Sequence, residues 1–292
     1  MCISFLTPPK VYAADITVGA TTWYAWWDGK YEHAKHDAGI INELVNDTAT
    51  GPAFLYGPVL SFKFSENFNL TFVFLYGEFD QSDSRHLLSA AFDITAMTNT
   101  IYKRRDGDIA LNYRVNDYLK VFAGIKYMAY KAKFSSKVIN TGNMEEEYIG
   151  SKEPVGYGPG LGLNCAFPVI DNLFVLATLS GFYLRGSEEG HLEIIDSVNP
   201  LIVGKHLNDK FDYKEYGINS NLSIAYYITN ISTIISLGAR LQYFKTDCGN
   251  IKDLIQSATD LAFPSLFPVS YNGNKINRIY GITLTATYNF SI

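Results

Sequence analysis

No stretch of this chain approaches the ~18 consecutive apolar residues of a membrane-spanning helix, and its mean hydropathy is close to zero. By a helix-counting test alone the chain looks soluble, but a β-barrel, which crosses with alternating strands, is not touched by that test. Cysteine is scarce, with three among 292 residues. Cys2 has no lipoprotein motif around it, and no Cys/His spacing suits a zinc site. No Ser/Pro-rich linker or charge block divides the chain, so it reads as one domain. A net charge of -5 argues against nucleic acid and against a polybasic membrane-surface patch. The G-x-S-x-G nucleophile elbow is also missing.

Aromatic residues are abundant: 21 Tyr and 19 Phe. Residues 1–13 end on Val11-Tyr12-Ala13, an A-x-A-like cleavage site after a short apolar run, so 1–13 is read as the remnant of a signal peptide and 14–292 as the mature domain. Cleavage would leave Cys165 and Cys248, which the topology places near opposite barrel ends, too far apart for a disulfide. In GYGPGLGLNCAFP, Gly156, Gly158, Gly160 and Gly162 fall on alternate positions with no helix after them. This is the period of a strand and not a phosphate loop.

Strand-like alternation recurs at approximately 15–27, 52–64, 68–80, 106–115, 118–133, 154–168, 173–186, 212–228, 231–246 and 277–291. Short turns at Ser65-Glu66-Asn67, Asn116-Asp117, Ile170-Asp171-Asn172 and Thr229-Asn230 alternate with long segments at 28–51, 81–105, 134–153, 187–211 and 247–276. Such one-sided loop lengths fit a membrane barrel better than a sandwich. Along each strand one face is apolar and the other mixes Gly, Asn, Thr, Ser and a few charges. Tyr24, Trp26, Tyr56, Tyr76, Tyr157, Phe167, Tyr226, Tyr243 and Tyr288 recur near strand ends, as in aromatic girdles. Pro58 and Pro159 each remove a ladder hydrogen bond, and bulges or bends at the outer rim are expected there.

The last strand, YGITLTATYNFSI, alternates Tyr280, Ile282, Leu284, Ala286, Tyr288 and Phe290 against small polar residues. It resembles the C-terminal signal strand of bacterial outer-membrane β-barrel proteins, with Ser291 and Ile292 following the aromatic. The resemblance covers the whole barrel pattern. It implies an all-β, transmembrane, antiparallel up-and-down barrel of about ten strands, with eight or twelve as alternatives. Residence in the outer membrane is implied too, with termini in the periplasm and long loops outside. Partners are then the outer-membrane lipid, the barrel-assembly machinery acting on the last strand, and a small solute or an extracellular partner. No cofactor and no nucleic acid is expected. Residues 92–95 onward and 191–203 are β-prone and could extend hairpins beyond the membrane. Helical spacing at 40–45 and 251–261 suggests short helices in the first and last loops.

Inward-facing charges on this register are Lys63, Asp108, Arg114, Lys120, Lys126, Glu215 and Arg240. Cations outnumber acids, which suits an anion-favouring pore lining. Paired charges filling a narrow barrel are the alternative, because wide channels need ~16 strands. The glycine row leaves room for Phe122, Tyr130 or a solute. Ten strands with five external loops also resemble the omptin family of outer-membrane proteases. Asp80, Asp83 and His86, with His206 and Asp209, lie in candidate rim positions, but their spacing departs from the family's D-x-D and D-x-H patterns, so no role transfers. Glu145-Glu146-Glu147 and Ser187-Glu188-Glu189 could hold a divalent cation or be solvated loop tips. The leading expectation is a non-enzymatic, porin-like or surface-interaction barrel.

Overall fold

In the computed structural model the described residues are 15–31, 48–88, 93–140, 145–196, 205–248 and 274–291. The expected signal remnant and the two stretches with helical spacing lie outside them. Every long element is a strand: β1 (Asp15–Tyr31), β2 (Thr48–Ala49), β3 (Ala53–Lys63), β4 (Phe68–Leu88), β5 (Asp93–Arg114), β6 (Leu119–Asn140), β7 (Glu145–Ile170), β8 (Leu173–Asp196), β9 (Lys205–Ile228), β10 (Thr233–Cys248) and β11 (Asn274–Ser291). Leaving β2 aside, neighbours in sequence pair antiparallel, and β11 pairs β1 from Asp15↔Ser291 to Tyr31↔Lys275, which closes the sheet. Of the eleven strands, β2 is a two-residue bridge on the outer end of β1, so the barrel itself has ten.

Each of the four short turns falls where its polar residues predict. Asn172 sits in the left-handed region at φ 64, which Asn tolerates, and Ser232 follows a 3-10 turn at φ 48. Three of the segments expected as long loops are instead largely strand, because β4 to β9 continue far past the expected boundaries. There charged residues such as Glu78, Lys103, Lys131 and Arg185 enter the outward face, and the hydrophobic period that marks the lower strands is lost.

Proline placement also differs from expectation. Neither Pro58 nor Pro159 makes a bulge, and neither lies at the rim. Pro159 keeps its pairing with Ile125 on β6, while the ladder to β8 skips from Tyr157↔Arg185 to Gly160↔Phe182 without a change of register. Pro58 likewise pairs with Ala20 on β1 and interrupts the ladder to β4 between Tyr56↔Tyr76 and Val59↔Val73. A residue with no N–H loses its bond on the side towards which that N–H would point, and keeps the other. The register shift that does occur is beside the short turn, between Pro168 and Ile170.

The outer surface is a band of exposed apolar side chains, including Leu161 at 68%, Leu222 at 60% and Leu284 at 47% relative exposure. Its lower edge is aromatic: Phe62, Phe64, Phe68 and Tyr113 form a chain of stacked or tilted rings, and Tyr288 packs on Phe290. Its upper edge carries an outward tyrosine on every barrel strand except β5, from Tyr24 and Tyr56 round to Tyr243 and Tyr280. On β5, Gly107 lies against Phe74 and Tyr127. Immediately above that ring charge returns on the outward face, as Lys103, Lys131, Arg185, Lys214 and Arg278. A soluble barrel cannot present such a surface, whereas lipid requires it.

Candidate functional site

Strand parity places all seven sequence-predicted charges on the inward face, but at different heights and with different partners. Lys63 and Arg114 lie at the turn end, half-exposed, where Asp15 pairs Lys63 at 3.3 Å and Asp117 pairs Arg114. Lys120, next to them, is exposed. Midway up, the Lys126 Nζ donates to both carboxylate oxygens of Asp108 at 3.2 Å. Arg240 lays its guanidinium 4.6 Å from the ring centre of Trp23. Glu215 is fully buried, and a hydrogen-bonded chain reaches it from across the sheet: Trp27 Nε1 donates to Asn277 Oδ1, Asn277 Nδ2 to Thr246 Oγ1, and Thr246 Oγ1 to Glu215 Oε2, at 3.1, 3.1 and 3.4 Å.

Two charges escaped the sequence reading because they fall in or beside a segment expected as loop. Arg104, fully buried, donates Nη2 to Asp106 Oδ2 at 3.0 Å and packs its guanidinium against the rings of Trp27 and Phe244 at 5.3 and 5.4 Å. It also donates to the Met128 sulfur. With this pair included, the middle of the barrel holds Arg104, Lys126 and Arg240 against Asp106, Asp108 and Glu215. The expected cationic excess in the lining is therefore not found there.

Around these charges lies a layer that no sequence signal marked. Trp23, Trp27, Leu55, Leu75, Phe79, Met128, Leu184, Phe244 and Ile279 form one contiguous buried cluster. They come from β1, β3, β4, β6, β8, β10 and β11, and so from all round the ring. The gaps at β5 and β9 are filled by Arg104, Asp106 and Glu215. On β7 the filling is the reverse, since Gly156 and Gly158 leave that wall without side chains. An apolar face turned to lipid and an apolar face turned to the lumen read alike in sequence, which is why the pattern picks out Tyr24 and Trp26 for the girdle but assigns no role to Trp23 and Trp27.

Below this layer the interior mixes polar side chains with a few apolar ones such as Val73 and Phe122. A cavity of about 270 Å³ is bounded by threonines, asparagines and Ser180, with Asp108, Lys126, Phe182 and Arg240 at its upper end. The glycine row does face inward, as expected. A Cβ on Gly162 would meet the tip of Phe122 at 2.6 Å, so that phenyl ring uses the space, whereas Gly160 opens onto the cavity. Tyr130 packs instead on Trp27.

On the outer extension, Lys152 pairs Glu188 at 3.5 Å and Lys210 pairs Glu189 at 3.1 Å, so lysines occupy those carboxylates. Among the described residues there is no group of His, Cys, Asp and Glu arranged to hold a metal ion. Asp80 is exposed on the outward parity of β4. The side chains of Asp83, His86, His206, Asp209 and Glu145 to Glu147 lie outside the described residues. In the backbone, Asp83 pairs with Thr98 and His206 with Glu193, which places them on β4 and β9, five strands apart in a ring of ten. Cys165 is a free thiol near the turn end; the side chain of Cys248, at the other end of β10, lies outside the described residues.

A closed antiparallel sheet with an apolar belt, two aromatic edges and a filled interior defines the class: a transmembrane β-barrel built like those of bacterial outer membranes. No family model matches the chain, and no curated protein matches it in sequence. Among solved structures it is similar to the outer membrane protease OmpT of Escherichia coli, at 9% identity over 96% of this chain and 98% of that one, with a TM-score of 0.46. The attachment invasion locus protein Ail of Yersinia pestis matches at 12% identity, covering 96% and 99%, with a TM-score of 0.31. For the toluene transporter TodX of Pseudomonas putida the values are 10%, 96%, 90% and 0.33. At such identities and scores these likenesses assign no activity to this chain.

Proposed function

We propose that the chain is an integral, non-enzymatic protein of a Gram-negative-type outer membrane, with its ends and short turns in the periplasm and its extended strands outside. It works through that external wall as a surface-interaction barrel and not as an open small-solute pore. The observation that carries this reading is the sealing layer: Trp23, Leu55, Leu75, Met128, Leu184 and Phe244 are all below 2% exposed and meet across the lumen. A hydrated solute would have to displace close-packed side chains and separate the Arg104–Asp106 pair, and each change is costly in a low-dielectric interior.

The orientation rests on the asymmetry of the two ends. Short turns with long opposite connections are the rule for bacterial barrels whose turns are periplasmic. Planar-bilayer recording tests the closed state. The purified protein is expected to give no ohmic steps, and Trp23→Ala combined with Phe244→Ala to give measurable conductance. Steady current from the wild type would overturn the reading. Cleavage of peptides by the refolded protein, lost in His206→Ala, would replace it with the protease alternative.

A further inference from the structure

The cavity under the sealing layer has a chemical character of its own. Three charged side chains face it: Asp108, Lys126 and Arg240. Asp108 and Lys126 satisfy one another at 3.2 Å. For Arg240 there is no carboxylate within ion-pair distance among the described residues, and its contact is the ring of Trp23. Asp108 and Asp106 act on Arg240 only from beyond contact distance, so among the described residues its guanidinium has no direct carboxylate partner, inside a sheet wrapped by lipid. A buried guanidinium without a carboxylate in direct contact is costly. The remaining wall mixes apolar Val73 and Phe122 and the bare backbone of Gly160 with neutral polar groups, of which Thr71 and Asn112, Thr178 and Asn164, and Thr283 and Asn221 bond in pairs while the buried Asn219 Oδ1 has no partner among the described residues.

We propose that this cavity is a binding site for a small polyhydroxylated monocarboxylate, of the size and chemistry of a sugar acid. The Arg240 guanidinium receives the carboxylate, for which its planar fork is suited. The Thr and Asn ring receives the hydroxyls. One guanidinium matches a monoanion, whereas a phosphate dianion would leave a charge unpaired. Access is from the turn end, because the other side is sealed. There Lys63 and Arg114 are neutralised by Asp15 and Asp117, while Lys120, exposed and in no ion pair among the described residues, adds a positive potential at the mouth. The site does not depend on what the external wall binds.

D-glucuronate is the probe, titrated by calorimetry and by tryptophan emission into the full chain in lipid nanodiscs; Trp23, in contact with Arg240, reports on the site. Saturable binding near ~1 mM is expected, with D-glucose weaker by about tenfold or more. Two variants separate recognition from folding, which is read for each as the heat-dependent band shift on a gel. Arg240→Gln is expected to lose glucuronate binding. Gly160→Leu fills the cavity from a position where a Cβ meets nothing closer than 3.7 Å, so it is expected to abolish binding while the folded band persists. If Arg240→Gln does not fold, Gly160→Leu decides alone. The proposal fails if glucuronate does not saturate, if glucose binds equally well, if folded Gly160→Leu still binds, or if chloride at equal concentration displaces glucuronate. Conductance plays no part in these outcomes, so the closed-barrel reading stands or falls separately.

Discussion

Arg104 shows what a single residue contributes inside this barrel. Its guanidinium is held by Asp106, two aromatic rings and a sulfur, with no exposure. Removing one member of a buried pair strands the other, so Arg104→Ala is expected to destabilise by about 3–5 kcal/mol, whereas Arg104→Met with Asp106→Leu is expected to be close to neutral. Urea unfolding in lipid vesicles measures both. In sequence, Arg104 sits in KRRDGD, a run that reads as a solvated loop, and nothing local distinguishes it from Lys103 or Arg105. Lys126 and Asp108 were legible as inward because their strands alternate cleanly. Pairing could not be read: which charge meets which depends on register across strands, and register is set by neighbours that alternation alone does not order.

Among the elements, β7 combines the most constraints. Gly158 and Gly160 are both inward and equivalent in pattern, yet a Cβ on Gly158 would lie 2.0 Å from the Tyr183 carbonyl oxygen, at the place where Pro159 interrupts the ladder, while one on Gly160 would make ordinary contacts. Gly158→Ala is therefore expected to abolish the folded gel band and Gly160→Ala to leave it intact. The alternation of glycines announced a strand and its inner face, but not this difference, which depends on how closely β8 approaches. Strand number and turn positions were legible because lipid imposes a strict apolar period on the lower half of each strand. Strand length was not. Above the tyrosine ring the outward face is no longer apolar, so β4 to β9 run on without the period that marks a lipid-facing strand, although inward Phe79 and Glu188 are still buried.

At the scale of the molecule, the belt and the filled lumen together set where the barrel can sit. Leu161 is at mid-belt and 68% exposed, so Leu161→Arg is expected to cost about 2–4 kcal/mol in lipid-reconstituted unfolding, while Glu153→Arg on the same face of β7, above the tyrosines, is expected to cost much less. Equal costs would place the lipid boundary elsewhere. The class was legible from these surfaces; the sealing layer, built of the same residue types as the belt, was not.

The seam between β1 and β11 has a consequence in time. It joins Asp15 to Ser291 and Tyr31 to Lys275, contacts almost as distant in sequence as the chain allows. Contacts of such separation are the slowest to form, because the loop they close carries the largest entropy loss. Until they form, both outer strands present bare edges and the sealing layer lacks the side chains of β1 and β11 opposite one another. Closure of this seam should thus be the last and rate-setting event of assembly, with the buried charges committed to their partners only when it is made.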